Sequence, residues 1–205
     1  MIKIGKLKLA ELEDKFPILS KEEQEGLFGA GKTYTFDNYG NLVATSSDTG
    51  DGSPDKVKVG NHAAKSCKDT ININTFTGRK DTGRTDEDGN KIYETYSGLT
   101  ITGADAGIFE YLSRNTDVEW GLSSNEDDKN NGLLSTNYDG STIRIDNNVL
   151  RAGDDTFFHS HPNGNLDPSD SDIATFHSLL RDTNYNYKRM AIYSPSLYTY
   201  SYLKK

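Results

Sequence analysis

Apolar positions in the second half of the chain recur in two rhythms. Ile108 and Leu112, with Phe109 and Tyr111 beside them, fall at helical spacing and predict a helix from Ala104 to Ser113. Ile173, Phe176, Leu179 and Leu180 repeat that spacing and predict a second helix from Ser171 to Leu180. Short β-prone runs predict strands at Val118–Leu122, Leu133–Thr136, Thr142–Ile145, Asp155–His161 and Arg189–Ser194, with an Asn/Asp-rich loop after the first. Helix, strands, helix, strands describes an α/β or α+β domain over residues 98–205.

The first half is less regular. Leu12, Phe16 and Leu19 share a helical face that Pro17 interrupts, and Ser20-Lys21-Glu22-Glu23 has the form of a capping box opening a short helix that Gly26 ends. Thr33–Val43 holds two β-prone runs around an Asn/Gly turn, the pattern of a hairpin. Ser46–Asp55 reads as a loop, and Asp86-Glu87-Asp88-Gly89-Asn90 as a turn leading into a strand at Ile92–Tyr96. No internal repeat stands out. Residues 1–97 therefore read as a β-rich extension. Its apolar set, Phe28, Tyr34, Phe36, Ile71, Ile73, Phe76, Ile92 and Tyr93, is expected to pack on the C-terminal domain, shaping its cleft and selecting its substrate.

Composition narrows the class. The 205 residues suit one domain, or one with a small companion. With 23 Lys+Arg against 31 Asp+Glu the net charge is −8, which argues against a broad grip on nucleic-acid phosphates or anionic lipid. The 12 Tyr and 8 Phe supply core material that disordered chains lack. A single cysteine, Cys67, excludes an internal disulfide and any multi-cysteine zinc site. Lysines interrupt the apolar character of Met1–Ala10, so no signal peptide is expected, and no apolar run reaches the length of a membrane span. The chain is expected in the cytoplasm or exported by a route without a cleaved signal.

The segment Phe157-Phe158-His159-Ser160-His161-Pro162 carries the candidate chemistry. Residues two apart on a strand face the same side, so His159 and His161 present two imidazoles together. Pro162, Gly164 and Pro168 turn the chain, and Asp172 falls at a helix start, from which a carboxylate can return to the imidazoles. Two His and one carboxylate leave a tetrahedral zinc position open, as in catalytic sites, where the metal lowers the pKa of water towards ~7. Each residue alone has a plainer explanation: His on a polar strand face, Asp172 favoured by the helix dipole, Ser169 as an N-cap. His177 reads as a helix-surface residue and His62 as a polar-loop residue. Cys67 has basic neighbours but no His partner, and Asp86–Asn90 lacks the spacing of a calcium loop.

His-x-His-Pro, six further residues, then Ser-x-x-Asp resembles the signature of the JAMM (JAB/MPN-type) metalloproteases, and Val118-Glu119-Trp120-Gly121-Leu122 is similar to the glutamate-bearing strand that family places earlier. Met190–Pro195 resembles the segment that closes its sheet. The resemblance implies a JAMM/cytidine-deaminase-like mixed sheet flanked by helices over residues 98–205. It implies Zn2+ held by His159, His161 and Asp172, with Glu119 as general acid/base and Ser169 hydrogen-bonding the oxyanion. The implied activity is hydrolysis of an amide bond in a protein or peptide substrate. The chain after Asp172 is too short for the long second insertion of ubiquitin-specific members. Tyr34-Thr35-Phe36-Asp37-Asn38-Tyr39-Gly40-Asn41-Leu42 is similar to the units of bacterial Rhs and YD-repeat proteins, whose C-termini carry JAMM-like toxin domains. That likeness implies a toxin or effector with an immunity or inhibitor protein as partner, while the net charge speaks against nucleic acid. Two further readings fit the same residues: a catalytically idle JAMM-like binding module, and a processing protease for a ubiquitin-like or sulfur-carrier protein.

Overall fold

The computed structural model describes residues 31–47, 53–125, 131–143 and 149–204. The expected helices within Ala10–Gly26, and Phe28, lie outside these residues, as do the second half of Thr142–Ile145 and the middle of the loop Ser46–Asp55. Among the described residues, two sheets and two helices make an α+β fold. The smaller sheet holds β1 (Lys32–Phe36), β2 (Leu42–Ser47), β3 (Lys56–Val59) and β4 (Lys65–Ser66), in the order β2-β1-β3-β4. The larger holds β5 (Asn72–Thr85), β6 (Lys91–Ala104), β7 (Gly121–Ser124), β8 (Gly132–Thr136), β9 (Thr156–Ser160), β10 (Arg189–Ser194) and β11 (Thr199–Lys204). Its order is β11-β10-β9-β7-β8-β6-β5.

The two helices form where the apolar spacing predicts. Helix α1 (Ala106–Asn115) starts at Asp105, whose carboxylate accepts the Ile108 N–H, and ends at Thr116. Helix α2 (Asp170–Arg181) opens with a capping box between Ser169 and Asp172. In the large sheet only β9 and β10 run parallel, and α2 provides the crossover that a parallel pair requires. A crossover helix begins beyond the carboxyl end of the first strand. Here that end is Ser160.

Several strands differ from the sequence reading. β3, β4 and β11 are additional, and β5 forms from a polar run, Asn72–Thr85, that has no apolar alternation. β5 is an edge strand held by its ladder to β6, so most of its side chains are exposed and no hydrophobic rhythm is needed. β7 starts at Gly121 rather than Val118, and β9 spans Thr156–Ser160 within the expected Asp155–His161. Thr142 and Ile143 are outside any strand. The division expected near residue 97 lies inside β6, which runs unbroken from Lys91 to Ala104.

One apolar core joins the two halves. Tyr34, Phe36, Val57, Val59 and Ile71 are buried in the same cluster as Ile108, Phe109, Leu112, Trp120, Leu122 and Leu134. Helix α1 touches both sheets: Phe109 packs on Phe158 and Tyr193, while the Tyr111 hydroxyl accepts the Val59 N–H at 3.2 Å and donates to the Ala63 carbonyl at 2.8 Å. Ile73 is half-buried against this core, whereas Phe76 and Ile92 sit on the β5–β6 ribbon outside it and Tyr93 is exposed. Among the described residues no helix is long and apolar enough to cross a membrane.

Asp55 ties the small sheet down. Its buried carboxylate accepts the Lys32 N–H at 2.7 Å and the Ile71 N–H at 2.9 Å, joining the start of β1 to the segment before β5. Asp55→Ala strands both donors, so unfolding in urea should show a loss of about 2–4 kcal/mol. A loss within experimental error would mean that these two bonds do not secure the sheet.

Candidate functional site

Strand alternation sets the first two candidate ligand positions. Ser160 turns inward to the sheet, its Oγ accepting the Trp120 N–H at 3.0 Å, and its own N–H donates to the Trp120 carbonyl at 2.9 Å. His159 and His161 therefore share the other side, with their Nε2 atoms 3.0 Å apart. His159 is fully buried and stacks on Phe157. Its Nδ1 has no hydrogen-bond partner among the described residues. His161 is fixed twice: its N–H donates to the Tyr193 carbonyl at 3.0 Å, and its Nδ1 faces the Asn165 carbonyl at 2.9 Å.

Asp172 arrives from α2. Its Oδ1 lies 3.1 Å from His159 Nε2 and its Oδ2 3.4 Å from His161 Nε2. The capping box holds that carboxylate in place, because the Ser169 N–H and Oγ–H donate to Oδ2 at 2.7 and 2.8 Å. The Asp172 N–H in turn donates to Ser169 Oγ at 3.1 Å. One ligand atom from each of the three residues lies within 4.8 Å of the other two.

This donor set fits a divalent metal. A carbonyl only accepts, so His161 Nδ1 carries the proton towards Asn165, and in the neutral imidazole the Nε2 lone pair faces inward. The groups it meets are a second imidazole nitrogen and a carboxylate oxygen, both electron-pair donors. With both imidazoles neutral and unprotonated at Nε2, the three groups would present three lone pairs to one point, which suits a cation, and two imidazoles with one carboxylate is a catalytic zinc set.

Electrostatics agree with the geometry. Without a metal, burial favours the neutral form of Asp172, but Nε2–H hydrogen bonds from His159 and His161 override it and hold the carboxyl well below the ordinary carboxylate range; a bound metal would take the place of those protons. The bond to Asp172 raises His161 against the effect of its burial. His159 is lowered, because burial outweighs the same carboxylate.

Glu119 stands across from these groups in the connection between α1 and β7. Its N–H donates to the Asp139 carbonyl at 2.7 Å, and its carbonyl accepts the Thr136 hydroxyl at 2.8 Å. The side chain is 6% exposed, and burial pushes its pKa up to about 7. His161 and a bond from the Ile143 N–H pull the other way, while the Asp172 and Asp139 charges add to the rise. Glu119, His161, Ser169 and Asp172 line one cleft of about 150 Å³, walled also by Ser141, Thr142, Ile143, Asn163, Thr175 and Met190.

All five residues singled out in the sequence thus meet at this cleft or directly behind it. His177 is on the exposed face of α2, and Cys67 is buried in the apolar core that joins the two halves, its thiol pushed up to about 12 by burial and the Asp55 and Asp105 charges. Not legible beforehand were the Asn165 carbonyl behind His161 and the Ile143 N–H on Glu119. Both are backbone groups, which any residue type could supply.

Two measurements test the site. The protein should bind about one zinc per chain, and His159→Ala, which removes one of three ligands, should abolish tight binding by elemental analysis and competition with a chelator. Undiminished zinc in that variant would contradict the ligand set. The raised pKa of Glu119 also has a stability consequence in the metal-free protein. Below about pH 4 the group is protonated in folded and unfolded chains alike and costs nothing. As pH rises past the ordinary 4.5, the unfolded chain loses its proton first, and stability falls until about pH 7, where the folded group ionises too. Glu119→Gln should remove this penalty, about 3 kcal/mol at pH 8 and nothing at pH 4, in denaturant unfolding. An equal effect at both pH values would contradict it.

The family model described as JAB-like toxin 1 matches residues 102–185, a span that holds Glu119, His159, His161, Ser169 and Asp172. No curated protein and no solved structure gives a significant match. The mixed sheet, its two helices and the family match together support a JAB-like toxin domain over residues 102–185.

Proposed function

We propose that residues 98–205 are a zinc-dependent peptidase or isopeptidase that acts as a toxin or effector on a protein target. The observation that carries this reading is the shared cleft: an acid/base carboxyl near neutral pKa opens onto the same space as a His-His-Asp donor set. Zinc held by His159, His161 and Asp172 supplies Lewis acidity and acidifies water.

The chain's own residues supply the rest of amide hydrolysis. Glu119 has a pKa of about 7, so near neutrality it takes a proton from water and can return it to the departing amine. The Ile143 N–H fixes its carboxylate, which keeps the proton acceptor aimed. Ser169 has two tasks. It holds Asp172 in the ligand orientation, and by rotating its O–H into the cleft it donates to the oxygen that gains charge. The cleft is small and hydroxyl-lined, which suits an extended stretch of substrate rather than a folded surface. An immunity or inhibitor protein would act most directly by filling it.

Enzyme and binding module differ in one variant. Glu119→Gln should keep the fold and the zinc but lower cleavage of a proteome-derived peptide library by about 10²–10⁴-fold, read as new termini by mass spectrometry. Growth inhibition on expression in bacteria should disappear with it. Inhibition that survives Glu119→Gln would mean that binding, not hydrolysis, is the function.

A further inference from the structure

The chain builds the same five-residue turn twice. Asp37-Asn38-Tyr39-Gly40-Asn41 joins β1 to β2, and Asp86-Glu87-Asp88-Gly89-Asn90 joins β5 to β6. In each, the aspartate N–H donates to the asparagine carbonyl, at 3.0 and 2.9 Å, and the glycine N–H to the aspartate carbonyl, at 3.2 and 3.1 Å. The aspartate Oδ1 accepts the asparagine N–H at 2.9 and 2.8 Å, and Oδ2 accepts its side-chain amide at 2.9 and 3.2 Å. Both glycines are left-handed, with φ of +76° at Gly40 and +83° at Gly89.

Their surroundings differ. A Cβ on Gly89 would meet nothing within 4 Å. A Cβ on Gly40 would lie 2.8 Å from Val118 Cγ2 and 3.4 Å from Trp120 Cζ2, and Val118 is a stiff, buried side chain that cannot swing away. The Asn38 carbonyl accepts the Asp117 N–H at 2.7 Å, and Phe36 meets the Trp120 ring edge-on at 6.0 Å. The β1–β2 turn therefore touches Asp117, Val118 and Trp120, the residues on both sides of Glu119.

We infer that the β1–β2 turn is a brace for the candidate active site, and that Asn38 and Gly40 are positioning residues for Glu119. The inference rests on the reading of Glu119 as the acid/base. Glu119 lies in a short connection between Thr116, which ends α1, and Gly121, which begins β7. Its own N–H and carbonyl are held by Asp139 and Thr136, and Trp120 by Ser160. On the helix side, Asp117 sits between the turn and Gly140, where a Cβ would lie 2.7 Å from the Asp117 carbonyl oxygen, and Val118 packs on Gly40. A general base works only within hydrogen-bond reach of its proton, and a shift of about 1 Å costs on the order of 10²-fold. The brace lies outside the family match, so this chain completes the site with its own N-terminal sheet.

The twin turn is an internal control. Gly40→Ala and Gly89→Ala carry the same left-handed strain, but only the first collides with Val118. In the zinc-loaded full chain, Gly40→Ala should speed amide exchange at Asp117 and Glu119 by at least about tenfold, and Gly89→Ala should not. On the best-cleaved peptide of the library, Gly40→Ala should lower kcat by about 10–100-fold with KM within about twofold and zinc content unchanged. Adding Val118→Ala, which removes the obstructing methyl, should restore kcat to that of Val118→Ala alone. Equal exchange and equal kcat in the two glycine variants would overturn the brace. Loss of cleavage in Glu119→Gln but not in Gly40→Ala would overturn it while leaving the peptidase reading intact. If even the unaltered chain cleaves nothing, the peptidase reading fails, and faster exchange confined to Gly40→Ala still supports the brace while equal exchange overturns it.

Discussion

Two imidazole nitrogens and a carboxylate meet at the carboxyl end of β9, close enough for one divalent cation to be shared among them. Much of the C-terminal half follows from this constraint. The imidazoles share a side because Ser160 between them points into the sheet and bonds to Trp120. The carboxylate reaches them because β9 and β10 are parallel, which requires a crossover helix whose first turn lies beyond β9. Ser169 and Asp172 close that first turn on each other, so the capping box that starts α2 also aims the Asp172 carboxylate at the imidazoles.

The proposed hydrolysis would also need a proton acceptor that is neither a metal ligand nor open to bulk water. Burial meets that need at Glu119, and the structure keeps the residue there at an electrostatic cost. A buried carboxyl ionises reluctantly, and the Ile143 N–H and the nearby His161 offset only part of that cost. The connection that carries Glu119 belongs to neither helix nor strand, so its position depends on neighbours from β8, β9 and the small sheet. This dependence explains why the two halves share one apolar core.

Legibility in the sequence followed the physics of each element. α1 and α2 were readable because each buries a stripe and its apolar residues keep the helical period, and β10 because it is a short, continuous apolar run that is buried throughout. The β1–β2 hairpin was readable from its Asn/Gly turn. β5 was not, because an edge strand held by backbone pairing needs no apolar alternation, and Asn72–Thr85 has none. The site residues were legible as side chains of particular types at particular spacing. Their supports were not: the Asn165 carbonyl, the Ile143 N–H and the Asn38 carbonyl are backbone atoms whose placement comes only with the tertiary fold. The two Asp-x-x-Gly-Asn turns were visible as turns, but only packing distinguishes the one at Gly40 from the one at Gly89.

The central claim is that His159, His161 and Asp172 form a zinc site with one position left open. X-ray absorption at the zinc edge of the loaded protein tests it most directly. The account predicts four-coordinate zinc with two imidazoles and oxygen ligands at about 2.0–2.2 Å. A sulfur ligand near 2.3 Å, or a six-oxygen shell without imidazole scattering, would contradict it.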